Sequence, residues 1–302
     1  MTVGLVGNND GPLRLLRSME AESPELACVG IQSPPSQSLR DEYESALDTA
    51  SYVEGFGEEK LLGYLEPLGV DLLINAFCNF RFRRLLNQSY EVLNVHLSPL
   101  PRYRGRHPIQ WALINGETEF GVTIHRMVPE WDAGAILWQQ SVPVDPLMSV
   151  EALRNRLLSA VTNDFGSFLE RYEAGVIKPR SNADENATYV ARRFPEDSRL
   201  TDWDDHKQIR RMVMALRSED YPARVVVEGQ PIAVRSAVPG ERFYDGVAAP
   251  FVCSRSDSTL TVVCLDGHTL RLGDLTPPEP DVQVNDRITI SPRRIEHSAP
   301  HR

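Results

Sequence analysis

EVLNVHLSPLP, residues 91–101, carries an apolar run that breaks abruptly into prolines. The run from Glu91 to Leu97 reads as a buried strand, and the Ser-Pro-Leu-Pro that follows ends it. Side chains two apart on a strand share a face, so Asn94 and His96 point the same way. What they act on depends on the sheet that holds them.

The neighbouring runs describe that sheet. "TVGLVG" (2–7), "LACVGI" (26–31) and "DLLINAF" (71–77) are equally continuous, with a helix expected near residues 11–21. Continuous apolar strands separated by helices are the pattern of a mostly parallel sheet covered on both faces, an α/β architecture. "GVTIHRM" (121–127) and "AILWQQSVPV" (135–144) add two extended runs. Open sheets of this kind bind ligands beyond the carboxyl ends of their strands. Asn94 and His96 are therefore expected at the rim of a cleft.

One helix is expected to start after Ser149, where Val150, Leu153, Leu157, Val161, Phe165 and Leu169 recur at spacings of three and four. A shorter one begins at Pro108 and stops at Gly116. Gly4, Gly7 and Gly11 do not space as GxGxxG, so they predict a tight turn and no dinucleotide loop. From about residue 181 the texture turns polar and aperiodic, "SNADENATYVARRFPEDSRLTDWDD", which places a junction between domains at 1–185 and 200–302. After a short helix near 205–217 come brief strands: "ARVVVE", "QPIAVRSAV", "PFVCSRS", "LTVVCL" and "TLRLGDL". Their spacing, with Asp-Gly between the last two, predicts a small antiparallel barrel. The tail after about 290 is expected to fray.

Composition narrows the class. At 302 residues, 41% hydrophobic and 25% charged, the chain is globular. No apolar run approaches the ~20 residues of a membrane span. "MTVGLVG" lacks the form of a secretory signal, and Cys28, Cys78, Cys253 and Cys264 form no CxxC pair, so a reduced cytoplasmic home is expected. The net charge of −10 disfavours non-specific nucleic-acid binding. Positive charge is nonetheless clustered in Arg81, Arg83, Arg84, Arg102, Arg104 and Arg106, on both sides of the polar pair, where a phosphate or carboxylate would be met.

An amide and an imidazole on one rim suit acyl transfer. Each can stabilise a developing oxyanion, and the imidazole can carry a proton. Such a histidine needs an acidic partner, and Asp132 in "VPEWDAGAI" is the best placed. The remaining histidines (125, 206, 268, 297 and 301) are read as structural or solvated.

"NVHLSPLPRYRGRHPIQWALINGE", "GVTIHRM", "WDAGAI" and "RRFPEDSRLTDW" resemble the formyltransferases that use 10-formyltetrahydrofolate. The resemblance implies a Rossmann-like catalytic domain and an OB-like C-terminal barrel. It implies catalytic roles for Asn94, His96 and Asp132. It puts Phe82, Arg83 and Leu86, with Val128 and Trp131 in the "VPEWD" loop, around the pterin of the co-substrate.

The acceptor amine is narrowed by residues 32–55. There Arg40 stands alone against Asp41, Glu42, Glu44, Asp48 and Glu54, a poor grip for tRNA phosphates. The texture is most similar to sugar-nucleotide formyltransferases, including the formyltransferase half of the bifunctional UDP-4-formamido-arabinose enzyme. A nucleotide-linked amino sugar is the expected acceptor, with Arg102, Tyr103, Arg104 and His107 at its side. "GNNDGPLRLLRSM" departs from the usual first helix of that enzyme. Methionyl-tRNA formyltransferase and a non-catalytic folate- or nucleotide-binding relative stay open as alternatives. No metal is implied, and a homodimer through the C-terminal barrel is left open.

Overall fold

The computed structural model describes residues 1–19, 24–47, 50–79, 82–87, 90–145, 147–218 and 220–290. Arg81, His297, His301 and the tail after 290 lie outside them. The chain divides into two compact units. The first comprises 1–109, 119–143 and 153–191; the second takes 110–118, 144–152 and 192–302.

The first unit alternates strand and helix: β1 (Thr2–Gly7), α1 (Gly11–Leu16), β2 (Glu25–Ile31), α2 (Gln37–Ala46), β3 (Ser51–Glu54), α3 (Glu58–Leu65), β4 (Leu72–Ala76), α4 (Arg83–Asn87) and β5 (Glu91–His96). A two-residue strand β6 (Arg104–Gly105), helix α5 (Pro108–Asn115), and strands β7 (Glu119–Arg126) and β8 (Ile136–Pro143) follow. Seven strands make one sheet in the order β3-β2-β1-β4-β5-β7-β8. The first five are parallel, while β7 pairs antiparallel with both β5 and β8. This is the expected Rossmann-like, mostly parallel sheet. β4 is buried throughout and β1 and β5 at all but their first residue, which is why their sequences are continuously apolar. At the end of β1 a side chain on Gly7 would sit 1.9 Å from the Ala76 carbonyl, so only glycine lets β1 and β4 approach there.

The long helix expected after Ser149 is two helices, α6 (Val150–Thr162) and α7 (Phe165–Glu173). Ser149 does cap the first, its Oγ accepting from the Ala152 N–H at 3.1 Å. The break falls at Asn163-Asp164, where the Asp164 carboxylate accepts from the Trp138 indole at 2.6 Å and from Arg171 at 2.8 Å. That carboxylate is thereby tied to β8. The apolar periodicity runs through the break because both helices bury the same face. Strand β9 (Tyr189–Val190) then pairs parallel with β6.

The second unit holds α8 (His206–Leu216), the hairpin β10 (Arg224–Val227) and β11 (Gln230–Ala233), and strands β12 (Ser236–Phe243), β13 (Phe251–Ser256), β14 (Thr259–Val263) and β15 (His268–Gly273). The last four form an antiparallel sheet in the order β12-β15-β14-β13. Isolated bridges, Val227 to Ile288, Ala233 to Thr276 and Phe251 to Arg287, link the remaining segments. Among the described residues these strands do not close into the expected barrel. The outer half of β12, "PGERF", is mostly exposed, and its pairing with β15 shifts register between Pro239 and Phe243. No helix among the described residues is long and apolar enough to cross a membrane.

Candidate active site

The carboxyl ends of β4, β5 and β7 bring four polar side chains together. Asn75 lies beside Asn94 in the parallel register of β4 and β5. Its Nδ2 donates to Asn94 Oδ1 at 2.7 Å, and its Oδ1 accepts from the Cys78 N–H at 3.0 Å. In the antiparallel register of β5 and β7, His125 lies opposite Asn94, and Thr123 opposite His96. Asn94 Nδ2 donates to His125 Nε2 at 3.1 Å, while His125 Nδ1–H donates to the Arg126 carbonyl at 2.8 Å. The histidine is thus held neutral with its proton on Nδ1. Burial drives the same way, pushing its pKa down to about 4 against the opposing pull of Asp132. Asn94 has two amide hydrogens and gives one to His125, so one remains for a ligand.

His96 is fixed from the other side. Its Nε2–H donates to the Tyr103 carbonyl at 3.0 Å, which leaves Nδ1 facing Asp132 Oδ1 at 3.8 Å. The same oxygen lies 3.7 Å from His125 Nε2. Asp132 Oδ2 accepts from the Gly105 N–H at 2.8 Å. One carboxylate therefore faces two imidazoles, and all three side chains are largely buried. The loop from 126 does fold back onto His96.

Asp132 needs support, because its backbone is left-handed at φ 51°. Asn182 supplies it: its Nδ2 donates to the Asp132 and Gly134 carbonyls, both at 2.8 Å. A side chain on Gly134 would lie 1.9 Å from the Arg126 carbonyl, so this tight return of the loop requires glycine. Asn182 is in turn gripped by Arg104, whose Nη2 donates to its carbonyl at 2.7 Å and its Oδ1 at 3.1 Å. Arg104 Nη1 donates to Asp184 and to Tyr189 Oη, both at 2.7 Å.

This corrects the reading of Arg104 as a diphosphate contact. The residue is fully buried and its fork is spent on the protein's own acceptors. Tyr103 is likewise turned inward, its ring edge-on to Phe120 at 5.1 Å, while its carbonyl accepts from His96. Arg102 and Arg106 are exposed, and His107 is half-buried with φ 59°.

A cavity of about 400 Å³ in the first unit is lined by Leu86, Tyr90, Val92, Met127, Val128 and Pro129 with Glu91 and Arg126. Leu86 and Val128, expected at the pterin, line it together. Phe82 does not: it is buried in the core cluster with Leu61, Leu65 and Val92. Arg83 is exposed, and so is Trp131, at 43%. The wall carrying Leu86 is anchored by Glu58, whose carboxylate accepts from the first N–H groups of α4, those of Arg84 and Leu85.

Three residues of the cluster were not singled out from sequence: His125, Asn75 and Asn182. His125 had a legible signal, since it shares a strand face with Thr123 as His96 does with Asn94. Asn75 and Asn182 had none, because their roles rest on contacts 19 and 50 residues away.

The model of a protein family described as formyl transferase matches residues 2–165, more than half of the chain. The chain belongs to the formyl transferase family. The chain is similar in fold to HypX from Aquifex aeolicus in complex with tetrahydrofolic acid (TM-score 0.61, 20% identity). That match covers 89% of this chain but only 43% of HypX, so the chain spans less than half of that protein. It is similar to an N-formyltransferase from Helicobacter canadensis in complex with folinic acid and dTDP-3-aminofucose (TM-score 0.65, 16% identity, 90% and 98% covered). It is also similar to methionyl-tRNA formyltransferase from Clostridium thermocellum (TM-score 0.55, 15% identity, 79% and 93% covered). One fold thus carries several acceptors, and the likeness by itself selects none.

Proposed function

We propose that this formyltransferase moves the formyl group of 10-formyltetrahydrofolate to the amine of a nucleotide-linked amino sugar, with Asn94, His96 and Asp132 acting on the reacting atoms. The observation that carries the reading is the convergence of those three side chains, with His125, in the unit that also holds the cavity lined by Leu86 and Val128. That cavity has the size and apolar lining of a ligand site.

The chemistry follows from the atoms available. The acceptor amine forms a bond to the formyl carbon, negative charge collects on the formyl oxygen, and the bond to the folate nitrogen then breaks, that nitrogen leaving with the proton the amine gives up. The uncommitted N–H of Asn94 serves the developing oxyanion. The amine must also lose a proton. His96 Nδ1 holds a lone pair when its proton is on Nε2, and it can take that proton. Asp132, 3.8 Å away, then stabilises the imidazolium. His125, kept neutral, orients Asn94 without adding a competing charge. One oxyanion donor is worth about 3 kcal/mol, so Asn94→Ala should lower kcat roughly 100- to 1000-fold.

The amino-sugar half of the proposal rests on exclusion and on fold. Arg40, the lone cation of residues 32–55, is paired with Glu54 at 2.8 Å, so the segment offers no free positive charge to an RNA backbone. Among relatives of this fold, the Helicobacter canadensis enzyme takes a nucleotide amino sugar. The test is tetrahydrofolate release from 10-formyltetrahydrofolate with a panel of nucleotide amino sugars and with charged initiator tRNA. Turnover with an amino sugar is expected. Turnover with the tRNA alone would overturn the acceptor, and no transfer to any amine would overturn the activity.

A further inference from the structure

A second cluster of ligating side chains lies in the other unit, and formyl transfer makes no use of it. His206 is the first residue of α8, and Asp266 and His268 stand two apart at the turn between β14 and β15. His206 Nδ1 lies 2.7 Å from Asp266 Oδ2, and His268 Nδ1 lies 3.5 Å from Asp266 Oδ1. The two imidazole rings stack face to face, 4.0 Å between centroids and 20° between planes. One donor atom from each residue falls within a common span of 4.8 Å.

We propose that His206, Asp266 and His268 form a binding site for a divalent transition metal of the zinc class. Two imidazoles and a carboxylate are the donors such ions favour. Bonds of about 2.0–2.2 Å in a tetrahedral arrangement put ligand atoms roughly 3.4 Å apart, against 2.7 and 3.5 Å for the two His–Asp pairs here. The scaffold is rigid. The turn is closed by bonds from the Gly267 N–H to the Cys264 carbonyl (3.0 Å) and from the Cys264 N–H to the His268 carbonyl (2.8 Å). The Leu265 N–H donates to the carbonyl of Trp203 at 2.7 Å, and the Trp203 side chain is fully buried.

Asp266 has the outer support that metal ligands typically show: both of its oxygens accept backbone N–H groups, from His206 and His268, at 3.1 Å. His268 is half exposed, so an entry path and open coordination positions remain. An ion bound at His206 Nδ1 displaces the proton now shared with Asp266. The His268 ring also meets Phe243 edge-on at 5.2 Å, which holds it in place over His206.

The experiment is zinc titration by calorimetry on the full chain carrying His297→Ala and His301→Ala, which removes the tail histidines as competitors. One equivalent of Zn²⁺ is expected, with a rise in melting temperature. His268→Ala in that background keeps the His206–Asp266 pair and should lower affinity at least tenfold, the loss that removing even an outer-shell partner typically brings. His206→Gln should do the same. Absence of zinc binding in the background protein would overturn the proposal. So would binding that survives His268→Ala but is lost in Asp132→Asn, which would place the ion at the catalytic cluster. Circular dichroism of each variant establishes that the fold is kept.

Discussion

Arg104 offers the sharpest separation between bracing and binding, through the substitution Arg104→Lys. The lysine keeps the positive charge but has no planar fork. Of the four acceptors on the guanidinium, Asp184 is 86% exposed and Tyr189 is 65% exposed, so water replaces the arginine at both. The two acceptors of Asn182 are buried and receive no such replacement. A buried acceptor left without a partner costs about 1–3 kcal/mol, so losing both costs about 2–6 kcal/mol. An ammonium group reaches one of them, leaving a loss of about 1–3 kcal/mol for Arg104→Lys, with the larger figure for Arg104→Met. Because Asn182 also holds the carbonyls of Asp132 and Gly134, kcat should fall in both variants while KM for the acceptor changes little. Urea unfolding gives the stability change and steady-state kinetics the rest. If Arg104→Lys unfolds at the wild-type midpoint but raises the acceptor KM, the side chain reaches ligand and the bracing role is wrong.

Two more outcomes follow from the site. Burial holds His125 near a pKa of about 4, against 6.5 for an ordinary imidazole. Between those values the unfolded chain binds a proton that the folded one refuses, so stability falls as pH drops through this window, by on the order of 3 kcal/mol. In His125→Gln that part of the pH slope should vanish; an unchanged slope in denaturant unfolding between pH 7 and pH 4 would refute a neutral buried His125. Val128→Phe, at the cavity wall, should raise KM for the folate roughly 10- to 100-fold with stability nearly unchanged, and an unaltered KM would mean the folate sits elsewhere.

β1, β4, β5 and β7 were legible because each buries both faces, and only apolar side chains satisfy that. β3 was not: its four residues, Ser51–Glu54, form an edge strand in a stretch read for its charge, and tertiary pairing with β2 decides its state. Asn94, His96 and Asp132 were legible as a motif, and the first two as a period-two pair. Arg104 was misread because sequence shows a charge and not whether it faces water. Phe82 was misread for the complementary reason: a pocket-facing aromatic and a core aromatic look alike. The Asn182 support could not be read at all, since nothing local marks an amide as the clasp of a loop 50 residues away.

β5 is the seam where the sheet changes from parallel to antiparallel pairing. Asn94 takes its amide partner from one side of that seam and its imidazole partner from the other. A slip of β7 by a single residue would turn His125 to the opposite face of the sheet and strand the asparagine. The polar cluster therefore doubles as a gauge of correct strand alignment: a chain that closes this sheet wrongly never assembles it.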